Sequence, residues 1–319
     1  MADPQIVSIA ARPHQAVASR RVLPYALLAL CMFFWASNWI VGRAFHDTVP
    51  PIALNFWRWT TASVLLLPFS WRQVLASWPA IRRHWLLMVV FGFAGAGAFH
   101  ALIYTGLRHT EAINALLLNS AIPVFIICLS WVWYRETITL RQAAGIILSF
   151  VGVFVIISRG DPATLLHLKI NRGDVFIFLA LPIWAFYSVL LKKRPAGIGD
   201  LAFLQVIGVV SVVASLPFYI WEMASGEHMT HVDAATVSAI VYIAVVASIL
   251  GYIFWNYAVA KVGANMAGHT SHLMPAFGAA MAILILGEHA YLFHAIGIAL
   301  ILGGVLLSTT ARTAVRSAA

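Results

Sequence analysis

The sequence predicts an all-α membrane protein: ten transmembrane helices forming two inverted five-helix repeats, with both termini cytoplasmic. Three observations predict it. Of 319 residues, 62% are hydrophobic and only 10% charged, whereas a soluble domain runs nearer half apolar and a quarter charged. A soluble fold of this size cannot hide so many apolar side chains beneath a polar surface. The apolar residues fall into ten runs with mostly short connections, and the second half echoes the first at a constant offset.

The runs lie at roughly 23–44, 53–71, 85–106, 112–134, 141–158, 174–191, 201–221, 235–258, 264–286 and 291–309. Each is near the roughly 20 residues a helix needs to cross the hydrocarbon core. The first follows Arg20 and Arg21 and extends from Val22 to Gly42, longer than a signal-peptide core. Leu30 before Cys31 is not the small residue a cleavage site needs, so an uncleaved span is expected. The longest connections are 72–84, 159–173 and 222–234. The breaker cluster Ser158-Arg159-Gly160-Asp161-Pro162 divides the chain. The expected organisation is a cytoplasmic tail at 1–21, a first repeat at 22–158, a loop at 159–173, a second repeat at 174–309 and a cytoplasmic tail at 310–319.

Orientation follows from Lys and Arg, which collect in cytoplasmic loops. With the N-terminus inside, fourteen of them face the cytoplasm, among them Arg20, Arg21, Arg82, Arg83, Lys192, Lys193 and Arg194. Five face outward, and Arg58 lies within a span. The formal charge of +9 is scattered singly or in threes rather than gathered on one surface, so nucleic acid is not an expected partner. Cys31 and Cys128 lie inside apolar runs and imply no disulfide framework.

The repeat is read from paired residues. Pro123 and Pro275 are 152 positions apart, as are Glu136 and Glu288, Gly145 and Gly297, and Gly152 and Gly304. Trp35-Ala36 in the first span recurs as Trp184-Ala185 in the sixth, 149 positions on. Five is odd, so the second half enters the membrane from the opposite side. Inverted repeats of this kind place a substrate site near the midplane where the halves meet.

The doubled pattern of Trp-Ala in spans 1 and 6, Pro then Glu across spans 4 and 9, and Gly-rich spans 5 and 10 resembles the drug/metabolite transporter superfamily. Within it the EamA-type exporters are most similar, over about residues 22–309. The many Trp and Tyr residues in the spans resemble the YddG-type exporters of aromatic amino acids. The resemblance implies alternating-access export of amino acids or related small metabolites from a bacterial inner membrane, by a protein that works as a monomer. A multidrug or cation exporter of the same superfamily is the alternative. Small multidrug relatives carry a membrane-embedded Glu in the first span, and here no Asp or Glu lies between Val22 and Gly42.

Polarity within the spans is almost uncharged, and amides and hydroxyls in a bilayer must face other helices or a wet cavity. Asn38 follows Trp35 by three residues, and Tyr187 follows Trp184 by three, so each pair shares a helical face. His100 and Tyr104 share a face of span 3, and His269 and His272 share one of span 9. An intramembrane His suggests function, either lining the cavity or packing between helices; a metal site would need a third converging ligand, and no metal or cofactor is expected. The substrate-binding candidates are Trp35, Asn38, His100, Tyr104, Asn119, Trp184, Tyr187, Tyr252, Asn256, His269 and His272. Pro123 and Pro275 each remove a helical hydrogen bond and are the hinge candidates. Glu136 and Glu288 read as structural helix ends, and Gly145, Gly152, Gly297 and Gly304 as a close helix seam. A phosphate-bearing substrate would call for a buried Lys or Arg, for which Arg58 in span 2 is the one candidate; it reads rather as an extracellular-side Arg paired with a helix end or a nearby polar group. No nucleotide-binding loop and no hydrolase or metalloprotease signature occurs, so an enzyme or receptor is the remote alternative.

Overall fold

Every element of the computed structural model is helical in the residues it describes: 13–110, 112–161, 163, 171–226, 229, 232–286, 289 and 291–309. The first half holds α1 (Pro13–Ala44), α2 (Pro51–Arg83), α3 (Trp85–His109), α4 (Ala112–Asn119), α5 (Ile122–Tyr134) and α6 (Leu140–Ile157). The second holds α7 (Arg172–Leu190), α8 (Asp200–Ala224), α9 (Ala234–Val262), α10 (Ala264–His269), α11 (Leu273–Leu286) and α12 (Leu292–Thr309). Among the described residues, six helices are long and apolar enough to cross a membrane: α1 from Val22, α3, α7 continued to Lys193, α8, α9 and α12. Glu227, His228, His231 and Glu288, most of the 159–173 loop, residues 1–12 and the whole 310–319 tail lie outside the described residues.

Among the described residues, three helices, α6, α7 and α9, begin on a side-chain cap that the sequence supplies. Asn171 and Asp174 form a reciprocal capping box on α7, and Thr139 with Gln142 does the same for α6, satisfying amides that a helix start leaves open. The stretch 72–84, expected as a connection, is instead the end of α2, with only His84 before α3. Pro79 within it removes one helical hydrogen bond without ending the helix, and the good helix formers Arg72, Gln73, Leu75, Ala76, Ala80, Arg82 and Arg83 flank it. At 1.5 Å per residue, the 33 residues of α2 run to about 50 Å, well beyond an apolar core of about 30 Å. Its outer turns carry the exposed Trp71 and Trp78, side chains suited to the membrane interface. Elsewhere Val64, Phe69, Val213, Leu284 and Leu306 point outward, as lipid-facing side chains do.

Contacts between helices obey the repeat. α6 packs on α12 and α2 on α8; α3 packs on α7 as α9 does on α1. Exchanging the halves returns the first two pairs to themselves and interchanges the last two, as a twofold axis between like halves requires. The α2–α8 pair is antiparallel. The Glu222 carboxylate near the end of α8 accepts hydrogen bonds from the amides of Ile52 (3.1 Å) and Ala53 (2.7 Å) at the start of α2. A carboxylate there meets open amides and the positive end of the helix dipole. Glu222→Ala is expected to lower stability by about 1–2 kcal/mol, the usual cost of losing a cap. Thermal melting in detergent checks this, and an unchanged midpoint would remove the cap from the account.

Candidate functional site

On the axis between the halves lies a cavity of about 20 Å³, room for roughly one water molecule. α1 contributes Met32, Trp35, Asn38 and Trp39, and α3 contributes Phe99 and His100. Asn119 and Ile122 come from either side of the α4–α5 break, Trp184 from α7 and Trp255 from α9; Ser271 and Met274 come from the α10–α11 break. Among the described residues the wall is largely aromatic and contains no acid. Three lining residues keep buried polar atoms without partners: Asn38 Nδ2, Trp255 Nε1 and Ser271 Oγ. Such atoms cost free energy when left dry, and convergent polar groups on an apolar wall are the signature of a ligand site.

Trp35 and Trp184, repeat-mates in the sequence, meet edge to face with ring centroids 4.9 Å apart. Trp255 stands 5.3 Å from the first and 5.4 Å from the second. Around them the hydrogen bonds are doubled. Tyr104 donates to Asn38 Oδ1 at 2.8 Å, and Tyr187 donates to Asn256 Oδ1 at 2.8 Å. Asn38 corresponds to Tyr187, and Tyr104 corresponds to Asn256 at the 152 offset, so the same bond recurs with donor and acceptor exchanged.

The backbone is irregular at the same places. α3 widens into a π turn over Gly92–Ala98 and α9 does so over Ile243–Leu250; such turns free carbonyls and often sit at functional sites. Trp35 Nε1 donates to the Ala247 carbonyl at 3.0 Å, and Tyr252 donates to that of Gly95; these acceptors are again 152 positions apart. The glycines of span 3, whose role the sequence leaves open, allow this turn to pack closely. A methyl group built on Gly92 would fall 2.5 Å from Val210 Cβ.

Pro123 starts α5 after the break at Ser120 and Ala121, and Pro275 follows the 3₁₀ turn Thr270–His272 that separates α10 from α11. Both hinge candidates therefore mark interrupted helices, and Asn119, the last residue of α4, and Ser271, within the 3₁₀ turn, line the cavity.

Of the substrate-binding candidates, Trp35, Asn38, His100, Asn119 and Trp184 line the cavity. Tyr104, Tyr187, Tyr252 and Asn256 are not part of the lining: Tyr104 holds Asn38 through the bond above, Tyr187 and Tyr252 pack on the Trp184 ring, and Asn256 accepts from Tyr187. His269 and His272 lie outside the lining. His272 is held on both ring nitrogens, by Ser149 Oγ at 2.5 Å and the Ser120 carbonyl at 2.9 Å. His269 is buried beside it. Among the described residues no three His, Cys, Asp or Glu side chains converge. Glu136 pairs with Lys192 and accepts from Asn265, tying helix ends together.

Of the two settings the sequence offers for Arg58, a helix end or a nearby polar group, the structure has the second. The side chain is fully buried. Nε donates to Ser248 Oγ at 2.9 Å and Nη1 to the Tyr104 hydroxyl at 2.7 Å. Trp255 and Phe99 were missed. Trp255 is three positions after Tyr252, on the same face, and that spacing is the signal that finds it.

Residues 22–158 and 171–310 match the EamA-like transporter family. A relative described as an uncharacterized transporter from Archaeoglobus fulgidus is 29% identical, over 89% of this chain and 96% of its own length. A probable terminal-alkyne amino-acid exporter from Streptantibioticus cattleyicolor is 27% identical, over 88% and 91%. A crystal structure covering 90% of this chain and 96% of its own superposes with a TM-score of 0.68 at 18% identity, a likeness of fold.

Proposed function

Because this chain belongs to the EamA-like transporter family, we propose that it exports small, net-neutral amino acids with aromatic or hydrophobic side chains. The observation that carries this reading is the acid-free aromatic cavity between the repeats, with its unpartnered Asn38, Trp255 and Ser271 atoms. Aromatic faces suit an apolar side chain and attract an ammonium group, while amide and hydroxyl groups suit a carboxylate. The absence of an acid from the lining speaks against a cation exporter, which needs a compensating charge. The amino-acid exporter among the relatives supports the same substrate class.

In this reading ten spans cross a bacterial inner membrane, with both ends of the chain cytoplasmic. The cavity is too small for an amino acid, so the conformation is a closed one, between inward- and outward-open forms. Opening parts the Trp35–Trp184 contact on one side of the axis at a time. The α4–α5 and α10–α11 breaks, beside Pro123 and Pro275, supply the flexible points. Unwound backbone at such breaks is tolerated because it lines a cavity.

The test is counterflow into liposomes loaded with neutral amino acids, with cationic drugs run in parallel. Exchange of aromatic or branched amino acids well above empty liposomes is expected. Exchange of cations alone would overturn the reading.

A further inference from the structure

We propose that the transported molecule carries a carboxylate and that Arg58 is its anchor. This rests on the transport reading above and names the group that the site recognises.

Arg58 is a fully buried cation, and a buried charge is costly unless paired. Its partners are neutral: Ser248 Oγ, the Tyr104 hydroxyl, and the ring faces of Trp59 and Tyr104, 5.5 and 5.7 Å from its guanidinium carbon. Nη2 has no partner, and among the described residues no acid pairs with it. The fold therefore lacks one negative charge here.

The guanidinium is also wired to the cavity. Arg58 donates to Tyr104, and Tyr104 donates to Asn38, a lining residue whose Nδ2 is itself unpartnered. A carboxylate entering the cavity meets Asn38 Nδ2 first. Displacing the Tyr104 hydroxyl then brings it to Nη1 and Nη2, a planar pair of donors that fits a carboxylate in two places at once. Tyr104 is thus the latch between the empty and the loaded arrangement. One cation matches a singly charged carboxylate; a phosphate dianion would call for a second Lys or Arg, and the described residues that line the cavity include neither. The amino group of a zwitterion then lies toward Trp35, Trp184 and Trp255.

Four probes sharing one ring system separate the possibilities: tryptophan, tryptophanamide, tryptamine and indole-3-propionate, measured by counterflow with the full-length protein. The wild type is expected to move tryptophan at least tenfold better than tryptophanamide. Arg58→Gln should cut tryptophan transport at least tenfold while leaving the amide within twofold, so that the preference for the acid vanishes; Arg58→Lys should restore part of it. A purely structural Arg58 would lower acid and amide together, and that outcome overturns the anchor. If Arg58→Gln does not fold, the wild type decides alone: equal transport of acid and amide overturns the proposal. Transport of tryptamine without any acid overturns both this proposal and the amino-acid reading. Transport of indole-3-propionate without tryptophan overturns the amino-acid reading and keeps the anchor.

Discussion

Trp184→Ala and Trp35→Ala are each expected to reduce amino-acid counterflow about thirtyfold, the effect of losing about 2 kcal/mol from a buried aromatic anchor at a binding site. Trp184 is the hub of the cavity wall: Phe99, Trp35, Tyr187 and Trp255 all lie within 5.4 Å of its ring. Trp35 adds a second role, because its indole donates to the Ala247 carbonyl in the π turn. Removing it deletes that buried hydrogen bond, at a cost of about 0.5–1.5 kcal/mol, so Trp35→Ala should also melt earlier than Trp184→Phe. The double alanine variant should fall short of the product of the single losses, since residues in contact couple by about 0.5–3 kcal/mol. Trp184→Phe keeps an aromatic wall and should retain most activity. Wild-type counterflow in the double alanine variant would show that substrate passes elsewhere.

What the sequence disclosed of this wall depended on whether ideal helix geometry holds. Trp35, Asn38, Trp184 and Tyr187 lie in uninterrupted stretches of α1 and α7, and three-residue spacing with the 149 offset points to one place: the first three line the cavity and Tyr187 packs on Trp184. Within α3 and α9 the π turns rotate everything that follows, and faces drawn from a regular 3.6 period lose their bearing. His269 and His272 show the same limit at a break. They share a face, yet it turns toward Ser120 and Ser149, whereas Ser271 between them meets the cavity. Repeat symmetry carries information here that periodicity lacks. Ser271 is the mate of Asn119, and both line the cavity; His272 is the mate of Ser120, and neither does. Arg58 was legible as a charge within a span that needs a polar partner, but which partners it has was not. Its setting is created by Ser248 and Tyr104, from helices distant in sequence, and no local pattern announces a cation surrounded by neutral partners.

The fold was more open to reading because its seams are built from small residues whose role depends on few neighbours. The α6–α12 seam makes this testable. A methyl group built on Gly304 would lie 2.5 Å from the Gly145 carbonyl oxygen, and one on Gly145 would lie 2.6 Å from that of Gly304. Backbone stands on both sides, so no flexible side chain can yield. Gly152 meets the Gly297 carbonyl oxygen at 2.6 Å in the same way, and the order of the two contacts makes the helices antiparallel. Gly304→Ala is therefore expected to cost about 1–3 kcal/mol through overpacking, and Gly304→Leu to prevent assembly of the folded protein. Gly303 is the matched control. A methyl there meets only Leu148 Cδ2 at 3.9 Å, an ordinary contact, and alanine's higher helix propensity should make Gly303→Ala neutral or stabilising by up to about 1 kcal/mol. Melting temperatures in detergent should separate the two neighbours, and equal midpoints would show that the seam is looser than the carbonyl contacts require. Counterflow per folded molecule then distinguishes scaffold from moving part. A rigid seam leaves it unchanged in Gly304→Ala, whereas a fall with normal melting would mean that α6 and α12 slide past each other as the repeats open.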